Sequence, residues 1–466
     1  MSAPAAVADR PVPDLDEGYE RGLKNRQIQM IAIGGAIGTG LFLGAGTAIT
    51  KAGPSLILAY LLVGAVVFLI MRALGELLIY RPVAGSFSEY AEEFLGPFAG
   101  FVTGWTYWIT WVVTGMAEIT AAGIYFQKWV DVPQWTTALV VLVVLFGANL
   151  ISVKVFGEAE FWFSMIKVTA IIGMILVGLG VLIFGFSDAG DTATVNHLWD
   201  HGGIFPNGLD ETLLALQIVT FAYLGVELVG VTAGEAANPE RTLPRAINAI
   251  PWRIGLFYVG ALIIILSLVP WTSFSAGESP FVKAFDQVGI GHAGDIVNFV
   301  VLTACLSSCN SGLYSTGRML HTLARKGEAP ARFGRLSGRH VPAAGVAASA
   351  VVMAIGVGIN AVDPEHAFLY ITSVALVGIL WVWGTILVCQ LRYRRLVDDG
   401  RKPRTGFRMP GTPWTNLIGL VFLVLVFVLL GFSGETRPGL YVTPGWVALL
   451  VLGYWLLRRR GAPTTS

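Results

Sequence analysis

Charge is scarce in this sequence. Asp, Glu, Lys and Arg make up 13% of its 466 residues, against about a quarter in a soluble globular chain, while 55% are hydrophobic and the mean hydropathy is +0.68. So little polar surface excludes a soluble globule of this length. Lys+Arg 31 against Asp+Glu 30 leave a formal net charge of +1, which excludes a strongly basic, nucleic-acid-binding chain. Cysteine is scarce too. Cys305, Cys309 and Cys389 make no disulfide framework, and Cys305 and Cys309, four residues apart, read as small groups in a helix–helix seam. The six histidines are scattered over loops and span ends without ligand spacing, so neither a metal nor a cofactor is expected. None stands beside a serine or carboxylate at depth, which argues against an enzyme such as an intramembrane hydrolase. Residues 1 to 20 carry no apolar stretch behind a basic one, so no cleaved signal peptide is expected.

What the chain has instead is long apolar runs. Taking about 20 residues as the length that crosses a bilayer core, spans are predicted near 28–50, 54–79, 98–126, 135–156, 161–186, 211–234, 248–270, 292–323, 342–361, 365–391, 414–432 and 441–457. The predicted fold class is all-α integral membrane with twelve transmembrane helices. With the amino terminus inside, and cations toward the inner ends of spans (Arg72, Lys154, Arg253, Arg318) counted with the inner side, only Lys51, Lys128, Lys283 and Arg437 of the 31 cations fall outside and only Lys167 is assigned to the membrane. That asymmetry predicts both termini in the cytoplasm. The basic loops 318–340 and 392–408 read as topology determinants beside anionic headgroups, with the lipid bilayer as partner and no nucleic acid.

Two spans are interrupted. Gly34-Gly35-Ala36-Ile37-Gly38-Thr39-Gly40 puts four glycines into the first, and Phe221-Ala222-Tyr223-Leu224-Gly225-Val226-Glu227 puts a glycine and an acid into the sixth. Unwound backbone at mid-membrane is tolerable only where it faces protein, a cavity or a ligand. Breaks at corresponding positions of two halves point to inverted repeats with a site between them. Free N–H groups at Ile37, Gly38, Thr39 and Gly40 would favour a carboxylate, and carbonyls freed at Phe221, Ala222 and Leu224 an ammonium group. An α-amino acid zwitterion presents both charges a few ångströms apart.

Lys167 has two readings, a lysine snorkelling from the helix end or one held at depth, and its place about seven residues and roughly 10 Å past Glu160, which marks the start of its span, favours the second. A lysine within a span costs roughly 2.5 to 3.5 kcal/mol, and such a group can trade a proton as its surroundings open and close. Glu118, mid-span in the third helix, has two readings: it lines the cavity or a proton route, or it pairs structurally with hydroxyls such as Thr114. Arg72 and Glu76, at i and i+4, are expected to pair with one another. Trp105, Thr114, Tyr223 and Asn310 are candidate pocket walls, since aromatic surfaces with a few polar groups suit a small neutral solute. No span carries a ring-forming polar filter, which argues against a channel.

Several stretches carry a family resemblance: Ile31 to Phe42, Met71-Arg72-Ala73-Leu74-Gly75-Glu76-Leu77, Gly85-Ser86-Phe87, Glu160 to Lys167, Pro244-Arg245-Ala246-Ile247-Asn248 and Asn310-Ser311-Gly312. From Leu23 onward the chain resembles bacterial amino acid permeases of the amino acid-polyamine-organocation superfamily. It mixes features of the L-asparagine permeases (Arg81 to Phe87, Trp252 to Tyr258) with those of the D-serine/D-alanine/glycine permeases (Gly104 to Trp108, Trp111 to Met116). The resemblance implies a leucine-transporter fold with a 5+5 inverted repeat and broken helices 1 and 6. The expected division is a disordered cytoplasmic tail over 1–22, a ten-helix core over 23–391 (repeats about 28–186 and 211–391), and two further helices with a basic loop and tail over 392–466. It also implies alternating access in the cytoplasmic membrane driven by an ion gradient. In such relatives a span-five lysine replaces a sodium ion between the first break and hydroxyls of span eight. Here that sets Lys167 against carbonyls near Gly34 and Ile37 and against Ser307 or Ser308, with Glu227 in gating. The expectation is proton-coupled import of a small neutral amino acid. Sodium coupling, exchange, or a substrate such as GABA or a cationic amino acid remain open alternatives.

Overall fold

A computed structural model of the chain describes residues 30, 37–83, 85–151, 153–185, 192–231 and 239–459. The tail over 1–22 and the glycines Gly34 and Gly35 lie outside the described residues. Every regular element among the described residues is helical, as apolar runs without alternation dictate. In chain order the α-helices are α1 (Ala45–Ala52), α2 (Leu56–Tyr80), α3 (Ser86–Leu95), α4 (Pro97–Phe126), α5 (Gln134–Asn149), α6 (Val153–Phe184), α7 (Gly208–Ala222), α8 (Leu228–Val231), α9 (Pro239–Asn248), α10 (Ile250–Arg253), α11 (Ala261–Leu268), α12 (Pro280–Gln287), α13 (Ala293–Arg325), α14 (Ala343–Val362), α15 (Ala367–Asp398), α16 (Trp414–Leu429) and α17 (Arg437–Arg459). Among the described residues eight helical runs are long and apolar enough to cross a membrane, one of them the stretch Gly40–Tyr80, which turns at Gly53 and Pro54. Two shorter apolar helices, α5 and α16, have 16 residues each.

The bundle is organised around α4. It packs on α3, α5, α13, α14 and α15, and 83% of its most apolar stretch is buried, against 6% for α17 at the periphery. A lipid-facing helix gains nothing from hydrophobicity against its neighbours, so the seams rely on small groups and close approach. Cys309 Sγ lies 3.9 Å from Gly115 O in the α4–α13 seam.

Two sequence expectations change here. The mostly apolar stretch 150–156, interrupted by Ser152 and Lys154, carries no Gly or Pro and reads as the tail of the fourth span. The structure ends α5 at Asn149 and starts α6 at Val153, so Glu160 lies two turns inside a helix rather than at its mouth. The pairing of Arg72 with Glu76 also fails. Glu76 accepts from Arg394 at 2.5 and 2.9 Å, from Gln390 at 2.9 Å and from the Met409 N–H at 2.8 Å. Arg72 donates to Asn248 Oδ1 at 2.8 Å and to Arg408 O, with its guanidinium 3.8 Å from the Phe407 ring centre. A bidentate partner brought by tertiary packing outcompetes the i, i+4 neighbour.

The basic end of the bundle holds α3 by charge. Lys326 meets Glu89 at 3.0 Å and also Glu92, Arg81 meets Glu89 at 3.6 Å and Glu93 at 3.4 Å, and Lys402 meets Glu93 at 2.9 Å. Burial disfavours a charge on Lys326, but Glu89, Glu328 and Glu92 outweigh it and hold the ammonium above its usual range. Burial pushes the Glu328 carboxyl up to about 7; Lys326 pulls it down and Glu92 and Glu89 push it further up.

Candidate site at the two helix breaks

Helix α7 stops at Ala222. Its last turn tightens, with Tyr223 N–H donating to Thr220 O at 3.2 Å and Leu224 N–H to Phe221 O at 2.9 Å, and helix resumes only at Leu228. Gly225 sits at φ +106, a left-handed conformation that a side chain would strain. The fully buried Glu227 closes the loop by accepting the Gly225 N–H at 3.1 Å on Oε2. The Trp111 and Trp383 indoles face the same carboxylate. An acid that fixes the shape of its own break explains why an ionisable side chain is retained at this depth.

On the other side, Ile37 is irregular, Gly38 bends, and helical turns begin at Thr39. Leu41 and Phe42 N–H groups both donate to Gly38 O, at 3.2 and 3.4 Å. The turns over Gly40–Gly44 are π-wide before α1 takes over. The two breaks touch: a Cβ placed on Gly40 would lie 2.4 Å from Ala222 Cα and 3.0 Å from Ala222 N. Only glycine allows backbone to approach backbone so closely.

Around this contact lies a polar cluster at depth. Lys167, fully buried on α6, donates to Ile37 O at 3.2 Å and to Ser307 Oγ at 3.1 Å. Ser307 in turn donates to Glu160 Oε2 at 2.8 Å. Asn310 donates to Glu160 Oε1 at 2.9 Å and accepts from Asn149 at 2.8 Å. On α4, Glu118 faces the first break: a Cβ on Gly38 would stand 3.0 Å from Glu118 Oε1 and 3.3 Å from Ser308 Oγ. Thr39 and Ser308 supply the hydroxyls nearest its carboxylate. Glu118 Oε2 and Thr39 Oγ1 are buried without a hydrogen-bond partner among the described residues, two polar atoms still available to a small solute.

Ile37, Gly38, Thr39, Gly40, Ala222, Lys167, Glu118, Ser307 and Ser308 are thus brought together. Other candidates are placed differently. The Tyr223 hydroxyl points into α2, donating to Tyr60 O at 2.9 Å, with its ring stacked 4.7 Å from Tyr258. Thr114 spends its hydroxyl on Thr110 O at 2.7 Å rather than on Glu118. Trp105 donates to Glu328 O at 3.2 Å at the basic end, thirteen residues and roughly 20 Å along α4 from Glu118. Of the carbonyls expected to receive an amine, Phe221 O accepts from Leu224 N–H and Ala222 O from the Tyr258 hydroxyl at 3.3 Å. Each keeps a second lone pair. Asn310 serves Glu160. The sequence reading missed Glu160 and Asn149; the signal was the seven-residue spacing of Glu160 from Lys167, which puts them on one face of α6.

A family model described as amino acid permease matches residues 27–466. The chain belongs to the amino acid permease family. The Amino-acid permease AapA of Bacillus subtilis is 48% identical over 95% of this chain and 96% of its own length. The L-asparagine permease of Escherichia coli is 46% identical over 97% and 91%, and the Probable threonine/serine transporter YbxG of Bacillus subtilis 44% over 94% and 95%. This permease is therefore an α-helical, multi-pass membrane transporter, and the helix breaks lie inside its matched region.

Proposed function

We propose that this permease imports a small neutral amino acid, of the asparagine or glycine/serine/alanine type, across the cytoplasmic membrane, with protons as the coupling ion and alternating access as the mechanism. The observation that carries the reading is the backbone contact of Gly40 with Ala222 beside a fully buried lysine. Helix starts at Thr39–Gly40 offer N–H groups to a carboxylate, and the interrupted turns after Ala222 offer carbonyls to an ammonium. The names of the relatives, L-asparagine permease and Probable threonine/serine transporter, point to small polar side chains. Twelve crossings in a leucine-transporter arrangement, with both termini cytoplasmic, fit the helices once Gly40–Tyr80 is read as two crossings, α7 with α8 as a broken one, and α5 and α16 as short ones.

Lys167 is the coupling residue in this reading, since its ammonium lies between the first break and α13. At one proton per solute, one pH unit supplies about 1.36 kcal/mol, a roughly tenfold accumulation at equilibrium. In proteoliposomes acidified outside by one unit, the wild-type protein is expected to concentrate labelled asparagine, glycine or serine toward that ratio without sodium. Lys167→Met is expected to stop at equal concentrations. Accumulation by Lys167→Met at the wild-type ratio removes Lys167 from coupling. Inhibition by arginine alone, across a panel of competing amino acids, removes the neutral substrate.

A further inference from the structure

Glu160 has no role in the proposed function, yet it is a buried acid held on both carboxylate oxygens. It is 1% exposed, two turns from Lys167 on α6, and the two side chains converge on one hydroxyl. The hydrogen bonds run in one direction: Lys167 Nζ donates to Ser307 Oγ at 3.1 Å, and Ser307 Oγ donates to Glu160 Oε2 at 2.8 Å. A chain of this polarity is set for a relay. Glu160 is fixed on its other oxygen by Asn310, and Asn310 by Asn149, so the acceptor geometry does not depend on Lys167.

The next step toward the basic end is also built. One turn before Glu160 on α6, and one and two turns past Asn310 on α13, Phe156, Tyr314 and Arg318 form a stack. The two rings are parallel within 3° at 3.8 Å, and the guanidinium lies 4.2 Å from the Tyr314 ring centre. A hollow of about 10 Å³, lined by Asn149, Phe156, Tyr314, Arg318, Val341, Pro342 and Val346, adjoins this stack. That is space for about one water.

We propose that Glu160 is a second proton-binding site, which takes the proton from Lys167 through Ser307 and passes it to water at the basic, cytoplasmic face when the Phe156–Tyr314 stack parts. In the step, the Lys167 ammonium gives a proton to Ser307 Oγ while the Ser307 hydroxyl proton moves to Glu160 Oε2. Lys167 becomes a neutral amine, Glu160 a carboxylic acid, Ser307 is unchanged, and no electrons are exchanged. Among the described residues the ionisable groups around the path are Lys167 on the same helix, Glu118 on α4 facing the first break, and Cys305 and, at the exit, Arg318 on α13; the polar groups Ser307, Asn310 and Asn149 complete it.

The inference rests on the reading of Lys167 as the coupling residue, and the experiment separates the two. Wild type, Lys167→Met, Glu160→Gln, Glu160→Asp and Ser307→Ala are reconstituted in liposomes. Labelled asparagine is followed in two assays: accumulation driven by one pH unit, and counterflow into preloaded vesicles without a pH difference. Counterflow needs no net proton release, so Glu160→Gln is expected to retain it while losing the roughly tenfold accumulation, which Ser307→Ala is expected to lose as well. Glu160→Asp, about one methylene shorter, is expected to restore accumulation in part, with its optimum moved along the pH axis. Wild-type accumulation in Glu160→Gln and Ser307→Ala, with none in Lys167→Met, overturns the relay and leaves the coupling residue in place. Wild-type accumulation in Lys167→Met overturns the coupling reading itself. Loss of counterflow in all the Glu160 and Ser307 variants makes the cluster a packing element and also overturns the relay.

Discussion

The contact between the two breaks can be broken with a single methyl group. In Gly40→Ala the new Cβ would start 2.4 Å from Ala222 Cα and 3.0 Å from Ala222 Cβ and N. Non-bonded carbons sit best at about 3.5 to 4.0 Å, so the segments must part by roughly 1 Å. Two of the three atoms it meets are backbone, and no rotamer change relieves them. Overpacking of this kind costs about 1 to 3 kcal/mol, small enough for the protein to insert and fold, but a shift of about 1 Å between groups that must clasp one solute costs on the order of 100-fold in rate. Gly173→Ala in α6 is the matched control, because no atom lies within 4 Å of its Cβ. The assay is initial uptake of labelled asparagine in proteoliposomes, with thermal stability in detergent measured alongside. Gly40→Ala is expected to lose uptake by about two orders of magnitude with a modest fall in Tm, and Gly173→Ala to match the wild type. Wild-type uptake by Gly40→Ala would refute the argument that the site lies between these segments.

The basic end supplies two further tests. Glu328 titrates near pH 7, above its usual carboxylate range, chiefly because it is buried. Its folded-state value lies above its unfolded one, so the stability it contributes is present below pH 4.5 and is lost as pH rises through 7. Glu328→Gln is expected to raise Tm relative to wild type at pH 8 and not at pH 5, with about 3 kcal/mol as the ceiling; equal differences at both pH values would contradict it. Glu76→Ala strands the Arg394 guanidinium and the Met409 N–H and is expected to cost about 3 to 5 kcal/mol, whereas Arg72→Ala leaves Glu76 with all its partners and costs less. Chemical or thermal denaturation in detergent ranks the two, and the reverse order would restore the local ion pair.

The fold class was legible because membrane physics leaves few choices. Runs such as 98–126, 292–323 and 342–361 became α4, α13 and α14 with ends shifted by a residue or two, since Gly96-Pro97 and Pro342 punctuate them where apolar content begins. The sixth span was read as interrupted because Gly225 and Glu227 violate the pattern of a buried helix, and the structure interrupts it there. Where punctuation is missing, as between Asn149 and Val153, apolar content alone put the boundary between two spans several residues too late.

The site was legible to the extent that its residues break a rule of their own segment. Gly38, Gly40, Glu118 and Lys167 are anomalies in apolar helices, and the structure gathers them around the first break. Trp105, Thr114 and Tyr223 break no such rule, and their polar atoms go to Glu328 O, Thr110 O and Tyr60 O. Glu160 was an anomaly too, but it was disguised by a misplaced helix start: an acid at a mouth is unremarkable, and the same acid two turns inside requires partners. Those partners, Ser307 and Asn310, lie about 150 residues away on α13. No periodicity within α6 could name them, because in a bilayer the choice of partner helix is made by packing of small groups rather than by the apolar pattern that sets the helix itself.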